Sequence, residues 1–327
     1  MTAQPNASGI AEELKKPMAR EILDWGTFDT QVMRSPNTKP RHHSHMFITI
    51  SPKFATPPAI ILGLTSLEAA RSANVRIATT VQDVHKYIFS AHIRSWLNTK
   101  LYRAGCTWLA MPSGHPHFQA GSFGTSEDPA WAPRKHVTHR EVVFLHPYEA
   151  PPKVIIWLNE LDFSVNHNER IMVFATDMTS GGFTAHINSW GGTKLYGAKI
   201  SWFAYPAGYP GICGGTVLPE KGACGVVEFE KKFTKPPTAV LVGLNKLESD
   251  KKSRCSFNII TEGVSEIGMG IRVDGFGDTV LHSAGVSYLV IQDVKVCGVG
   301  GRIGGWIGHL RHELELVALA TWESHLT

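Results

Sequence analysis

The sequence predicts an all-β protein built from three tandem β-sandwiches. Three observations support this fold class: one pattern recurs three times, its segments alternate apolar and polar residues, and no helical period is evident before the C-terminal segment. Pro-Pro pairs begin at Pro57, Pro151 and Pro236, and each precedes an apolar run. Proline confined to the start of apolar runs is typical of strands in all-β domains.

The first two copies align without gaps over their most similar segment. "IRSWLNTKLYRAGCTW" (93–108) and "INSWGGTKLYGAKISW" (187–202) are 94 residues apart, and with four preceding residues added, twelve of twenty positions are identical. "IRVDGFGDTVLHSAGVSY" (271–288) is a weaker third copy. The pattern divides the chain into an N-terminal tail (1–21), repeat 1 (22–111), repeat 2 (118–206), repeat 3 (211–294), and a glycine-rich linker with a C-terminal segment (295–327).

Each unit contains five or six short strands. "HMFITISP", "REVVFLHP" and "GVVEFEKKF" alternate apolar and polar residues, as half-buried strands do. The runs after each Pro-Pro pair, "AIILGLTSL", "KVIIWLNEL" and "TAVLVGLNKL", are more continuously apolar, which indicates central strands. The aligned segments above predict a hairpin with a turn at "LNT" or "GGT" and a core-facing row at Tyr196, Ala198, Ile200 and Trp202.

Composition narrows the classes of function. Lys+Arg 32 against Asp+Glu 28 leaves a net charge of +4, and no basic run carries interleaved aromatics, so nucleic acid is not an expected partner. No apolar stretch reaches the length of a membrane span. The start of the chain lacks the apolar core of a secretory signal. Five cysteines without a pairing pattern indicate reduced thiols, and we expect a cytoplasmic protein or one exported by a non-classical route.

Two features could suggest an enzyme, and neither predicts one. Three histidine-rich stretches, "RHHSH", "GHPHF" and "KHVTHR", lack Cys or carboxylate partners at ligand spacing, so we interpret them as solvated loop histidines and expect no metal. "CGVGGRIGG" misses the spacing of a dinucleotide-binding loop and has no surrounding βαβ unit. We therefore expect no catalytic residue and no cofactor.

The predicted hairpin tip offers a binding surface. Trp96 and Tyr102, and their counterparts Trp190 and Tyr196, flank a few small residues, so their rings could face the apolar side of a sugar. Arginines in the preceding strand could donate several hydrogen bonds to hydroxyls. The same residues could instead pack repeats together, form ion pairs or cap turns, and the sequence leaves both interpretations open.

The order of these elements resembles the H-type lectin domain, the family of snail agglutinins and of the C-terminal domain of discoidins. The elements are an apolar strand, Pro-Pro with a Val and Leu run, an arginine, Phe-x-x-x-Ile-x-x-Trp, and Thr-Lys-Leu-Tyr-x-Ala. The resemblance implies a six-stranded, immunoglobulin-like sandwich. It also implies a parallel trimer that binds N-acetylgalactosamine or galactose, without metal, between protomers. Three linked copies would then form an intrachain pseudo-trimer, and two such chains could dimerise.

The resemblance also implies which residues bind carbohydrate. The family's arginine corresponds to Arg76, Arg170 and Arg254, its tryptophan to Trp96 and Trp190, and its tyrosine to Tyr102 and Tyr196. The tip residues Asn98 and Gly191 complete the implied site. Phe276 and His282 replace the aromatic pair in repeat 3, and the family's acidic loop has no clear match. The implied function is a multivalent galactose-type lectin for cell recognition or adhesion. An interaction module that has lost sugar binding is the alternative.

Overall fold

A computed structural model describes residues 23–33, 39–51, 54–128, 130, 135–219 and 224–292. The predicted N-terminal tail 1–21 and the predicted glycine-rich linker and C-terminal segment 295–327 lie outside these residues. Within the described part the protein is almost entirely β, as the sequence predicts. The helical exceptions there are a single turn, α1 (Thr30–Met33), and a short 3-10 helix (Thr125–Glu127).

Each repeat contributes six strands. Repeat 1 contains β1 (Asp24–Asp29), β2 (His43–Thr49), β3 (Ala59–Ala69), β4 (Val75–Gln82), β5 (Ile88–Arg94) and β6 (Leu101–Met111). Repeat 2 contains β7 (Gln119–Gly124), β8 (Val137–Val143), β9 (Lys153–Phe163), β10 (Glu169–Thr176), β11 (Gly182–Asn188) and β12 (Leu195–Tyr205). Repeat 3 contains β13 (Ile212–Val217), β14 (Gly225–Glu228), β15 (Ala239–Ser249), β16 (Cys255–Glu262), β17 (Gly268–Asp274) and β18 (Leu281–Ile291).

Every repeat divides its strands between two antiparallel sheets, and every sheet takes three strands from each of two repeats. The orders are β1-β6-β3-β16-β17-β14, β2-β5-β4-β9-β12-β7 and β13-β18-β15-β10-β11-β8. A sandwich needs two sheets that pack their apolar faces together, and each repeat provides that pair from its own strands. The sheets then continue across the repeat boundaries without a break.

Three strand pairs carry the sheets from one repeat to the next, and we call each such junction a seam. The first seam joins β4 of repeat 1 to β9 of repeat 2, with Arg76 opposite Asp162. The second joins β10 of repeat 2 to β15 of repeat 3, with Arg170 opposite Glu248. The third joins β16 to β3, where Ser256 is opposite Glu68. The third seam returns the sheet system from repeat 3 to repeat 1.

The predicted aromatic hairpin is wrong. Its two arms in repeat 2 are β11 and β12, but β11 pairs with β8 and β10, whereas β12 pairs with β7 and β9. The arms therefore lie in opposite sheets, and the turn between them crosses the sandwich. Repeats 1 and 3 do the same with β5–β6 and β17–β18. Alternation of apolar residues is identical for a hairpin and for two facing strands, so the pattern could not separate them.

Buried apolar side chains from all three repeats form one cluster, which we call the central core. The long central strands β3, β9 and β15 each place their third residue there, namely Ile61, Ile155 and Leu241. Two positions further along, repeat 2 has Trp157, which is fully buried, whereas the other two repeats have Gly63 and Gly243. A Cβ on Gly63 would lie 2.7 Å from the Trp157 ring, and one on Gly243 would lie 2.5 Å from it. One indole therefore occupies space that three equivalent positions share.

The remaining predictions concern cysteines and membrane spans. The four described cysteines are free thiols, and Cys106, Cys213 and Cys255 are buried. Burial raises the pKa of Cys106 to about 12, because a thiolate is poorly solvated in an apolar core. Among the described residues, no helix is long and apolar enough to cross a bilayer.

Candidate functional site

The seams bring charged side chains of two repeats together. The tenth residue of each long central strand is acidic, and these residues are Glu68, Asp162 and Glu248. Each one forms an ion pair with an arginine of a neighbouring repeat. Glu68 pairs with Arg254 of repeat 3, Asp162 with Arg76 of repeat 1, and Glu248 with Arg170 of repeat 2. All three predicted arginines are therefore located at seams, where one repeat meets the next.

In the first seam, Arg76 is almost fully enclosed by both repeats. Its Nε lies 3.3 Å from Oδ1 of Asp162, and its Nη1 donates a hydrogen bond of 3.0 Å to Oδ1 of Asn98. The pKa of Asp162 is raised, because burial outweighs the Arg76 charge and a hydrogen bond from Trp96. Trp96, Asn98 and Arg76 come from repeat 1, so the structure places these predicted residues beside an acid of repeat 2.

The second seam has the same plan with tighter pairing. Arg170 Nε donates to Oε1 of Glu248 at 2.9 Å, and its Nη1 donates to the carbonyl of Gly191 at 2.8 Å. Ser283 Oγ donates to the other oxygen of Glu248 at 3.2 Å. Although burial alone would raise it, these hydrogen bonds lower the pKa of Glu248. Both Glu248 oxygens accept hydrogen bonds here.

The third seam departs from the predicted register. Ser256, not Arg254, stands at the position of Arg76 and Arg170, since it is the second residue of β16 and faces Glu68 across the sheet. Arg254 precedes that strand, yet its Nη1 still donates to Oε1 of Glu68 at 3.1 Å. Its Nε also lies 3.4 Å from Oδ1 of Asp278. The long side chain compensates for the shift, so the ion pair is kept although the backbone position is not.

The tryptophan and tyrosine of one repeat belong to different seams, which corrects the predicted grouping. Tyr102 lies in the third seam, where the Arg254 guanidinium is 5.9 Å from its ring centre. Tyr196 follows Leu195 in β12, which pairs with β9 beside Asp162, so Tyr196 belongs to the first seam. Each seam thus combines one repeat's arginine and tryptophan position with the next repeat's acid and tyrosine position.

The predicted core-facing row of β12 is correct only in part. Ala198, Ile200 and Trp202 are buried, but Tyr196 is 37% exposed. The pairing register of β12 with β9 shifts between Leu195 and Gly197, so a bulge separates Tyr196 from the rest of the row. The bulge turns the phenol outward to the seam, where Lys194 Nζ lies 4.8 Å from its ring centre.

The residue after each tryptophan position adopts a left-handed backbone. Its φ is +54° at Leu97, +60° at Gly191 and +67° at Gly277. Glycine adopts this conformation without strain, whereas leucine does not. The next but one residue, Thr99 or Thr193, is buried and donates to the carbonyl of Asn74 or Asn168, both at 2.8 Å. This turn holds the tryptophan beside its seam, and neither Trp96 nor Trp190 is buried in the core.

The acids of the seams were missed from the sequence, although a signal for them exists. The quoted apolar runs after the Pro-Pro pairs each end one residue before Glu68, Asp162 or Glu248. An acid repeated at one place after an apolar strand, in three copies with an arginine, indicates a recurring ion pair. Because that pair joins neighbouring repeats, its partners could not be assigned before the strand pairing was known.

The histidine-rich stretches were expected in loops, and this is wrong for part of them. His43 and His45 lie in β2, where their rings stack with His92 of β5 at centroid distances of 5.1 and 5.5 Å. Burial first, and then nearby Arg94, lower the pKa of His43 and of His92. In the part of the chain that the structure describes, no group of His, Cys, Asp or Glu has the geometry of a metal site.

The structure also contains a concavity lined by residues of repeat 2 alone. Its volume is about 460 Å³, and it is lined by Phe123, Glu127, Asp128, His139 and Arg140 of repeat 2. The charges there are already matched, since Arg140 pairs with Glu127 and Lys135 pairs with Asp128. The seams, which join complementary groups of two repeats, are therefore the better candidate site.

The three repeats that meet at these seams match a known domain family. The model of the H-type lectin domain matches three segments, 46–111, 139–205 and 226–291, which together make up more than half of the chain. The chain belongs to the H-type lectin domain family. The three matches lie within the three predicted units, so the predicted resemblance is confirmed, and so are the three copies.

Other comparisons add little. Two solved structures of discoidin II from Dictyostelium discoideum are similar at 13% and 12% sequence identity, with TM-scores of 0.26 and 0.25. Each covers 57% of this chain, and the chain covers 96% and 94% of them respectively. A search of curated protein sequences found no match. The assignment therefore depends on the family match and on the strands described above.

Proposed function

We propose that this H-type lectin protein is a multivalent lectin that binds galactose or N-acetylgalactosamine-type glycans at its seams. The observation that carries the proposal is the recurring seam: an arginine and a ring position of one repeat beside an acid and a ring position of the next. Guanidinium donors, carboxylate acceptors and an aromatic face are the groups that a sugar requires for its hydroxyls and its apolar side.

The closed strand order supports a further part of the proposal, that the chain forms an intrachain pseudo-trimer. β4 pairs with β9, β10 with β15, and β16 with β3, so every repeat has two neighbours. In a homotrimer the three sites would be identical, whereas in one chain they can differ. Weak sugar sites gain avidity when several of them engage one surface, which suits recognition or adhesion. The family suggests binding rather than catalysis, and we assign the chain no reaction.

Calorimetric titration of the whole chain with galactose and with N-acetylgalactosamine tests the proposal. We expect millimolar to submillimolar binding. Trp96→Ala should abolish the contribution of the first seam and Trp190→Ala that of the second, because each removes the apolar face for the sugar. Phe47→Ala is the matched control, since Phe47 is an aromatic residue outside the seams and is 63% exposed.

Circular dichroism and thermal unfolding should show that all three variants keep the fold. Loss of binding in Trp96→Ala and Trp190→Ala, with full binding in Phe47→Ala, would support the lectin proposal. Absence of heat with both sugars, together with no hit on a glycan array for the folded wild type, would favour the alternative of an interaction module without sugar binding.

A further inference from the structure

One position in the long central strands carries a different charge type in each repeat. The eighth residue is Ser66 in β3, Glu160 in β9 and Lys246 in β15. It lies two residues before the recurring acid of its own strand, so its side chain is on the same face of the sheet as that acid. The equivalent places therefore hold a buried hydroxyl at Ser66, which is 2% exposed, but a partly exposed carboxylate at Glu160 and a partly exposed ammonium at Lys246.

Lys246 lies against the aromatic ring of the second seam. Its Nζ is 5.9 Å from the ring centre of Trp190, which belongs to the neighbouring repeat. Neither residue is fully buried. Within the described residues, no carboxylate lies at ion-pair distance from the Lys246 ammonium, since Glu248 is held by Arg170 and Ser283. The second seam thus contains a cation, Lys246, whose charge no described carboxylate balances by direct contact.

The first seam is electrostatically different at the same place. Glu160 shares its face with Asp162, and burial first, and then the Asp162 charge, raise the pKa of Glu160, while the Lys199 charge lowers it. Two carboxylates of repeat 2 thus lie together there, against the single carboxylate Glu248 beside Lys246 in the second seam. At this position an anion would meet a carboxylate in the first seam and an ammonium in the second. The first seam also has a lysine, Lys194, but it lies over the Tyr196 ring instead.

We infer that the second seam binds an acidic sugar, one that carries a sulfate ester or a carboxylate, with Lys246 pairing the anion and Trp190 facing the ring. This inference rests on the proposed function, because it assigns a substrate class to one of the proposed sugar sites. Lys246 is the group that discriminates, since Arg170 already donates to Glu248 and to the Gly191 carbonyl. Charge-assisted hydrogen bonds to a partly buried ammonium add affinity for an anion over a hydroxyl.

Calorimetry with galactose, galactose 6-sulfate and galacturonic acid tests the inference on the whole chain. We expect galactose 6-sulfate or galacturonic acid to bind about fivefold more tightly than galactose at low salt. This preference should disappear near 1 M salt, where screening shortens the range of charge interactions. The two acidic probes separate a sulfate site from a carboxylate site, and a preference for either one supports the inference.

Charge exchange between equivalent positions provides the matched variants. Lys246→Glu gives the second seam the acid of the first and should remove the preference for the acidic sugar while galactose still binds. Lys246→Gln should do the same without adding repulsion. Trp190→Ala should also abolish it, whereas Trp96→Ala, in the other seam, should leave it intact. Unchanged binding of the acidic sugar in Lys246→Glu would overturn the inference.

The outcome for neutral sugar separates the two proposals. If galactose binds and both acidic sugars bind no better, the inference on Lys246 is wrong and the lectin proposal stands. If none of the three sugars binds to the folded chain, the lectin proposal fails and the inference fails with it. If the acidic preference persists in Trp190→Ala but is lost in Trp96→Ala, the anion belongs to the first seam, which contradicts the assignment.

Discussion

The central core and the seams both join the three repeats, but they use sequence differently. At the seams, all three repeats keep the same ion pair, even where Arg254 must reach from a displaced position. In the central core, equivalent positions hold Trp157 and two glycines, so one repeat fills space for all. The seams show what every repeat must retain. The central core shows what linkage in one chain permits, since three copies of repeat 2 alone would bring three indoles into that space.

This contrast makes the order of the repeats part of the fold. Trp157 also donates from Nε1 to the carbonyl of Ser287, in repeat 3, at 2.9 Å. A buried indole needs such a partner, and here repeat 3 supplies it. The three repeats are therefore not interchangeable around the central core, although their strands follow the same plan.

The largest effect is expected from Trp157→Ala. Removing a fully buried indole that contacts two other repeats leaves a cavity, and we expect a loss of about 3–5 kcal/mol of unfolding free energy in urea titrations. Trp157→Gly combined with Gly63→Trp moves the indole to an equivalent position and should recover part of that loss. Gly63→Trp alone should be strongly destabilising, because two indoles would compete for one space. Equal stability of the double variant and Trp157→Ala would show that an indole placed in repeat 1 cannot fill this space.

A smaller effect concerns the second seam, where Glu169 begins β10. Val75 and Cys255 occupy the equivalent places in the other repeats, and all three residues are buried. Glu169 differs in bringing a carboxyl group there, which accepts a hydrogen bond from Ser249 at 2.5 Å. Burial raises the pKa of Glu169 to about 7, from 4.5 in the unfolded chain. The protonated form is thus favoured by folding. Its stabilising contribution is fully present below pH 4.5 and is lost as the pH rises through 7.

We therefore expect unfolding free energy to fall by roughly 3 kcal/mol between pH 4.5 and pH 8.5 through this one group. Glu169→Gln should remove that part of the pH dependence and be more stable than wild type at pH 8.5. Denaturant titrations at several pH values measure the slope. Glu141→Gln, at an exposed glutamate of the same repeat, is the control. The control should keep the wild-type slope, and a slope of that size surviving in Glu169→Gln would contradict the assignment.

The smallest effect distinguishes the turns of the first two seams. Leu97 is 74% exposed and has a φ of +54°, so Leu97→Gly should change stability by less than about 1 kcal/mol, because relief of strain offsets the entropy of glycine. In the other turn, a Cβ on Gly191 would lie 2.9 Å from Nη1 of Arg170. Gly191→Leu should therefore lower the melting temperature clearly and weaken the second seam. Similar melting temperatures for both variants would show that the two turns are equivalent.

The repeats and their strands could be predicted because spacing and alternation are local properties of a sequence. The Pro-Pro pairs and the aligned tryptophans located the units, and the strands fall where the alternation predicted them. Strand partners are different, because β11 would alternate in the same way beside β12 or opposite it. The sharing of sheets between repeats depends on pairings such as Arg76 with Asp162, which the sequence separates widely.

The candidate site was predicted in its residues more than in its arrangement. The arginines and aromatic rings were found because they repeat, yet Trp96 and Tyr102 belong to different seams and the acids were overlooked. Trp157 gave no signal of its own, since a tryptophan in an apolar run is ordinary. Its meaning depends on Gly63 and Gly243, which become neighbours only when the three central strands meet.

The third seam has a consequence for biosynthesis. β3 emerges early from the ribosome, but its outer partner β16 follows only after repeat 2 and half of repeat 3 have been made. Until then β3 exposes an unpaired edge, and such edges promote aggregation. A chain that terminates prematurely after repeat 2 would keep that edge permanently. Truncated products should therefore depend on chaperones or degradation, whereas the full-length protein closes its own edge.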